Sequence, residues 1–211
     1  MITFTTMTQA VEAFKPSIDH ELVQELITKQ IRIIAIRHGE ALHNLGSLMN
    51  SSRSPGIHLT ERGIQQVRNA AEKLRHEQIH YVYASPVYRT MQTAHYLTTS
   101  LGVPHLKVAV AEDLREQHFG IFEGRSYYEY VDFFDDPEDV YTKAAPEGES
   151  GEELYIRTKE FLRKVASAHE KETVVLVTHA FNCHHINYCL TGSDADLPNQ
   201  AEFKIYSVQG E

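Results

Sequence analysis

Five short runs rich in β-branched residues punctuate this chain: IRIIAI (31–36), HYVYA (80–84), KVAV (107–110), TVVLVT (173–178) and FKIYSV (203–208). Runs of this length suit strands rather than helices, and helix-length stretches lie between them. Near-continuous apolar runs belong to strands covered on both faces. Their alternation with helices builds a sheet of mostly parallel strands. The spacing therefore predicts an α/β three-layer sandwich with a mostly parallel central sheet and helices on both faces. Helices are expected over 60–76, 86–101, 150–170 and 180–191, the first capped by Thr60.

A chain of 211 residues suits one substantial core. The main body is placed at 31–211 as a single domain. Residues 1–30 form an N-terminal helical extension packed on it, with Leu22, Val23, Leu26 and Ile27 at helical spacing behind a capping Asp19. That extension lies outside the motifs described below and is a candidate for homodimer contacts. The stretch 125–149, RSYYEYVDFFDDPEDVYTKAAPEGE, departs in composition and reads as a lid insertion over the sheet. Within it DDPEDV is expected to be a solvated loop. Tyr127, Tyr128, Tyr130, Phe133 and Phe134 are expected to pack rather than to form a substrate platform.

A net charge of −9 gives no basic field to gather nucleic acid, so nucleic acid is not an expected partner. No apolar run approaches the ~18 residues of a membrane span, and the N-terminus lacks a signal-peptide pattern, so no membrane partner and a cytoplasmic location are expected. Cys183 and Cys189 alone cannot make a disulfide framework and are expected as reduced thiols.

In open α/β sheets, ligands sit outside the carboxyl ends of the strands. IRIIAI leads into Arg37-His38-Gly39 and TVVLVT into His179-Ala180-Phe181, so the two imidazoles meet if those strands are parallel neighbours. HYVYA leads into SPVYRTMQTA, with Arg89 expected one turn into the next helix, and KVAV into AEDLREQHFGIFEG, which supplies Glu116. Two guanidiniums, two imidazoles and a carboxyl group suit a phosphoryl guest, which needs an in-line nucleophile, charge neutralisation and a proton for the leaving oxygen. The positive charges of Arg37 and Arg89 favour the unprotonated form of His38. No GxxxxGK[ST] loop is present to hold a nucleoside triphosphate.

A zinc site is the competing reading for one cluster. His179 and Cys183 are four apart and His184 and His185 follow, but a second ligand-bearing segment is missing. The expectation is no metal and no cofactor, with arginines as the charge neutralisers.

Six blocks in order, RHGEALHN, LTERGIQQ, SPVYRTMQTA, LREQHFGIFEG, PEGESGEEL and VTHAFN, cover about residues 31–182. In these the chain resembles the histidine phosphatase superfamily, whose fold is that of phosphoglycerate mutase-like proteins. The resemblance implies His38 as the nucleophile that becomes a phosphohistidine. It implies Arg37, Arg89 and His179 as the phosphate clamp, Glu116 as proton donor, and Asn44 and Ala180 as further phosphate-side residues. Glu112, Asp113 and Glu123 offer the same carboxyl nearby, and the block LREQHFG selects Glu116. Ala180 stands where the family usually has glycine, and Ala41 where threonine is common. A short insertion before the GES block and the segment AFNCHHINY favour a phosphomonoester hydrolase acting on a small-molecule phosphate ester or a phosphorylated protein. Two alternatives stay open: cofactor-dependent mutase-type phosphoryl transfer, and a phosphate-sensing module that has lost turnover.

Overall fold

The computed structural model describes residues 18–54, 56–106, 108–136, 139–193 and 197–207. Of the expected extension, the described part holds helix α1 (His20–Thr28), and residues 1–17 lie outside the described part. Asp19 caps α1 by accepting from the Leu22 amide at 3.1 Å, and Arg163 holds the other carboxylate oxygen at 2.9 Å. Leu22 and Leu26, one turn apart, are buried in the main core.

Strand β1 (Arg32–Arg37) is followed by the one-turn α2 (Leu42–Leu45) and by α3 (Glu61–Leu74), whose first turn is capped by Thr60. Strand β2 (Tyr81–Ala84), helix α4 (Tyr88–Ser100) and strand β3 (Val108–Val110) come next. Two 3-10 turns (Glu112–Leu114 and Gly120–Phe122) then lead to α5 (Tyr127–Asp132) and α6 (Asp139–Thr142). The chain closes with α7 (Gly151–Ala168), β4 (Thr173–Thr178), α8 (Ala180–Thr191) and β5 (Phe203–Ser207). Each observed strand lies within one residue of its predicted run, and each of the four predicted helices ends within two residues of its expected bounds.

The strand order is β3-β2-β4-β1-β5, with β1, β2, β3 and β4 parallel and β5 antiparallel against β1. Alternation along the strands divides the core into two layers, because successive side chains point to opposite faces. Ile33, Ala35, Val174 and Leu176 pack under α1, α7 and α8 on one side. Ile34, Ile36, Val82, Ala84, Val175 and Val177 pack under α3 and α4 on the other. The sheet is thus the middle of three layers, as the runs predict.

The 125–149 stretch has an apolar cluster of its own, in which Tyr130, Val131, Val140 and Ala145 join Met49, Phe119 and Phe122. One expectation for it needs correction. The end of DDPEDV is not a loop: Asp139 starts α6 and Val140 is buried, because that cluster takes its side chain. Its aromatics pack on one another, Phe133 against Phe122 and Phe134 and Tyr128 against Tyr127, although Tyr128 and Phe133 remain 48% and 47% exposed. Cys183 and Cys189 are free thiols inside the α8 face, and burial pushes each up to about 12. Among the described residues no helix is long and apolar enough to cross a membrane.

Candidate active site

The sheet register sets the site. Arg37 of β1 pairs with Thr178 of β4, so His38 and His179 leave the sheet side by side, and the His38 amide donates to the Thr178 carbonyl at 2.9 Å. Their ring centroids are 5.3 Å apart, edge to face. The loop behind His38 is pressed onto the first turn of α3. A Cβ on Gly63 would come within 2.0 Å of the Glu40 carbonyl oxygen, and one on Gly39 within 2.5 Å of the Gly63 oxygen. Only a residue without a Cβ permits that approach.

Hydrogen-bond polarity assigns the His38 tautomer. Nδ1 lies 2.7 Å from the Gly39 carbonyl oxygen, which can only accept, so Nδ1 carries the proton. Nε2 receives the Nε–H of Arg89 at 3.1 Å and therefore presents a lone pair. Burial first, then the charges of Arg89 and Arg37, push His38 well below the usual imidazole range. Three observations agree on a neutral ring with its lone pair on Nε2.

Arg89 is fully buried in the first turn of α4, nearer the helix start than the sequence suggested. Its two terminal nitrogens donate to Asn50, one to Oδ1 at 2.9 Å and the other to the backbone oxygen at 2.8 Å; the second also reaches His179 Nδ1 at 3.2 Å. Burial lowers Arg89 to about 10, which leaves it cationic at neutral pH. Arg37 donates to the Pro198 carbonyl at 2.8 Å, while its Nε is buried without a partner. His179 Nδ1 accepts from Arg89, so its Nε2–H faces Ser85 Oγ at 2.9 Å. Burial and the neighbouring Arg89 also keep this ring well below its ordinary range.

The carboxylate of Glu116 comes within 3.7 Å of His179 Nδ1, and the Gln117 amide donates to its other oxygen at 3.0 Å. Burial pushes its pKa up to about 7, against the opposing pull of Arg89, the Gln117 amide and Arg37. At neutral pH the protonated and ionised forms are both populated, which suits a group that must give and later take a proton. Its three rivals are engaged elsewhere: Glu112 is exposed and paired with Arg53, Asp113 pairs with Lys164, and Glu123 binds Ser51 and the Phe119 amide.

The structure thus gathers Arg37, His38, Arg89, Glu116 and His179 around one point. Ala180 sits beside them as the first residue of α8. Asn44 lies at the end of the same loop: its Oδ1 accepts from the Ala41 amide at 2.9 Å and its Nδ2 lies 3.1 Å from His43 Nε2. Sequence reasoning missed His43, Asn50, Ser85 and Arg157. Arg157 grips the carboxylate of Glu149 and donates to the Asp113 and Arg115 carbonyls at 2.7 and 3.0 Å, which pins the segment bearing Glu116. Among the described residues, no three His, Cys, Asp or Glu side chains are grouped to hold a metal ion.

The family model for the histidine phosphatase superfamily (branch 1) matches residues 33–209. Phosphoglycerate mutase-like protein 4 of Arabidopsis thaliana is 33% identical over 70% of this chain and 65% of its own length. A metal-independent phosphoserine phosphatase of the same plant is 30% identical over 81% of this chain and 71% of its own. Among solved structures, a mycobacterial glucosyl-3-phosphoglycerate phosphatase in complex with VO3 superposes with a TM-score of 0.68 at 25% identity, covering 82% of this chain and 90% of that one.

Proposed function

The chain belongs to the histidine phosphatase superfamily, and from that premise we propose that it hydrolyses phosphomonoesters through a phosphohistidine formed on His38. One observation carries the reading: a neutral imidazole, its Nδ1–H tied to the Gly39 carbonyl, presents the Nε2 lone pair to the buried guanidinium of Arg89, with half-buried Arg37 next to it in the chain.

In the first step Nε2 attacks phosphorus as the bond to the ester oxygen breaks, and protonated Glu116 gives its proton to the departing oxygen. The ring of the intermediate carries positive charge, which the Gly39 carbonyl stabilises through Nδ1–H. In the second step water attacks phosphorus, ionised Glu116 accepts its proton, and the P–N bond breaks to return the lone pair to Nε2. Arg37 and Arg89 neutralise the phosphoryl oxygens throughout. To do so, Arg89 Nε–H must pass from His38 Nε2 to a phosphoryl oxygen, which uncovers the nucleophile as substrate arrives.

Hydrolysis is favoured over mutase chemistry by charge. Two guanidiniums match one phosphate dianion, and Arg157, the next cation, is bound to Glu149. The 125–149 segment, read as a lid, adds exposed acids such as Asp132, Asp135 and Asp136 that would repel a second phosphate. Leu42, Leu45, Leu48 and Tyr128 stay exposed on the two flanking segments joined by the Leu48–Ser126 bridge, which suits a partly apolar alcohol. The test is release of phosphate from p-nitrophenyl phosphate and from 3-phosphoglycerate, with and without added bisphosphoglycerate. Phosphate release without primer, lost in a folded His38→Ala variant, is expected. Primer-dependent isomerisation with little phosphate release would establish the mutase instead.

A further inference from the structure

The mechanism above leaves one buried polar group beside the nucleophile without a task. His43, on α2, is only 9% exposed, and its ring centroid lies 5.6 Å from that of His38. Its protonation can be deduced from its neighbours. The Ala41 amide donates to one end of the Asn44 side-chain amide, so that end is the oxygen and the other is Nδ2. Nδ2 can only donate, so His43 Nε2 is the acceptor of the 3.1 Å bond between them. The proton of the neutral ring is therefore on Nδ1, and that atom is buried with no hydrogen-bond partner. Burial first, then Arg89 and Arg37, hold His43 at about 3, which agrees with a neutral ring.

A buried N–H without an acceptor is unfavourable until an acceptor arrives. The neighbouring Arg37 Nε is in the same condition, and the Arg37 charge acts on His38. Two orphaned donors around one nucleophile call for a guest with several acceptor oxygens.

We propose that His43 contacts the substrate, its Nδ1–H donating to a non-bridging phosphoryl oxygen, and that Asn44 is the positioning residue that sets the tautomer required. The inference rests on the phosphoryl-transfer reading of the site and extends it. The second Nδ2–H of Asn44 stays available for the phosphate, as the resemblance implies. His43 becomes a neutral donor added to a cationic clamp, strengthening phosphate binding without adding charge.

The test compares wild type, His43→Phe and His43→Asn for competitive inhibition by inorganic phosphate. Asparagine keeps an amide N–H near the place of Nδ1, whereas phenylalanine keeps the bulk alone. His43→Phe should bind phosphate about 10-fold more weakly or worse, the range expected of a hydrogen bond to a charged group. His43→Asn should recover most of that loss. In wild type labelled with 15N-histidine, the His43 Nδ1–H resonance should move downfield as phosphate is added. In Asn44→Leu the 15N pattern should show the proton shared between Nδ1 and Nε2. Unchanged phosphate inhibition in folded His43→Phe, or a resonance unmoved at saturating phosphate in wild type, overturns the proposal. The resonance decides if the phenylalanine variant does not fold. Phosphate affinity is measured apart from turnover, so an active His38→Ala would sink the phosphohistidine reading while a null result at His43 would sink this contact alone.

Discussion

The proposed nucleophile and the proposed acid of this site are held in place by different means. His38 is fixed by main chain: its amide bonds to the Thr178 carbonyl, its own carbonyl accepts from the Ala201 amide, and Gly39 and Gly63 lock the loop behind it. Glu116 lies between two 3-10 turns and is fixed by side chains. Arg157 grips the carbonyls around it, and Gln117 donates to the Tyr130 hydroxyl at 3.0 Å and the Glu149 carbonyl at 2.7 Å. The contrast suits their tasks, since an attacking atom needs a fixed line to phosphorus while a proton donor must serve first the leaving oxygen and then water.

The largest effect that probes this contrast is expected at Glu116. Glu116→Gln keeps the shape but has no proton to give, so hydrolysis of an alkyl phosphate should slow by about 10²-fold or more. An aryl ester such as p-nitrophenyl phosphate, whose leaving oxygen is weakly basic, should suffer less. The wild-type carboxyl has its pKa raised to about 7, so its acid form prevails below that pH and is lost above it. kcat/KM should therefore fall as pH rises through about 7, and the variant should lack that limb. Equal losses for both esters, with the limb retained, would move the acid to another residue.

Gly63→Ala probes the main-chain side. Its Cβ would meet the Glu40 oxygen at 2.0 Å, backbone against backbone, so the loop carrying His38 must shift. A stability loss of about 2–3 kcal/mol in urea unfolding is expected, together with reduced turnover of every ester alike. A neutral substitution would show that the close approach is dispensable.

A smaller change is expected from Arg157→Ala. The Arg157–Glu149 pair is 17% and 19% exposed, between a surface pair and a fully buried one, and its removal should cost about 2 kcal/mol. kcat should fall more than KM rises, because the acid loses its alignment. The Arg157 charge lowers the Glu116 pKa, so its removal should shift the alkaline limb upward. Arg157→Lys restores charge without the fork that spans two carbonyls and a carboxylate, and should reverse the pH shift more fully than the loss of kcat. An unmoved limb in Arg157→Ala would show that the arginine is only structural.

The same division explains what could be read in the sequence. Strands and both histidines were legible because apolar β-branched runs mark buried parallel strands and catalytic groups gather at their carboxyl ends. Glu116 was not separable from Glu112, Asp113 or Glu123 by spacing, and only the resemblance singled it out. In the fold the rivals are occupied by Arg53, Lys164, Ser51 and the Phe119 amide. Asn50 and Ser85 carry no motif and meet Arg89 and His179 across sequence separations of 39 and 94 residues. The direction of β5 was also hidden. Residues 197–202 bring the chain back to the carboxyl end of β1, where Pro198 takes an Arg37 N–H and Ala201 reaches His38, so β5 must run down the edge antiparallel.

The central claim is that phosphorus becomes bonded to His38 Nε2 during turnover. Mixing enzyme with a 32P-labelled phosphomonoester, quenching in alkali to preserve a P–N bond, and mapping the labelled peptide tests it directly. The account predicts up to one label per chain, on His38 and at Nε2, formed and lost at rates consistent with turnover. Label on another residue, or steady hydrolysis with no phosphorylated enzyme at any quench time, would contradict it.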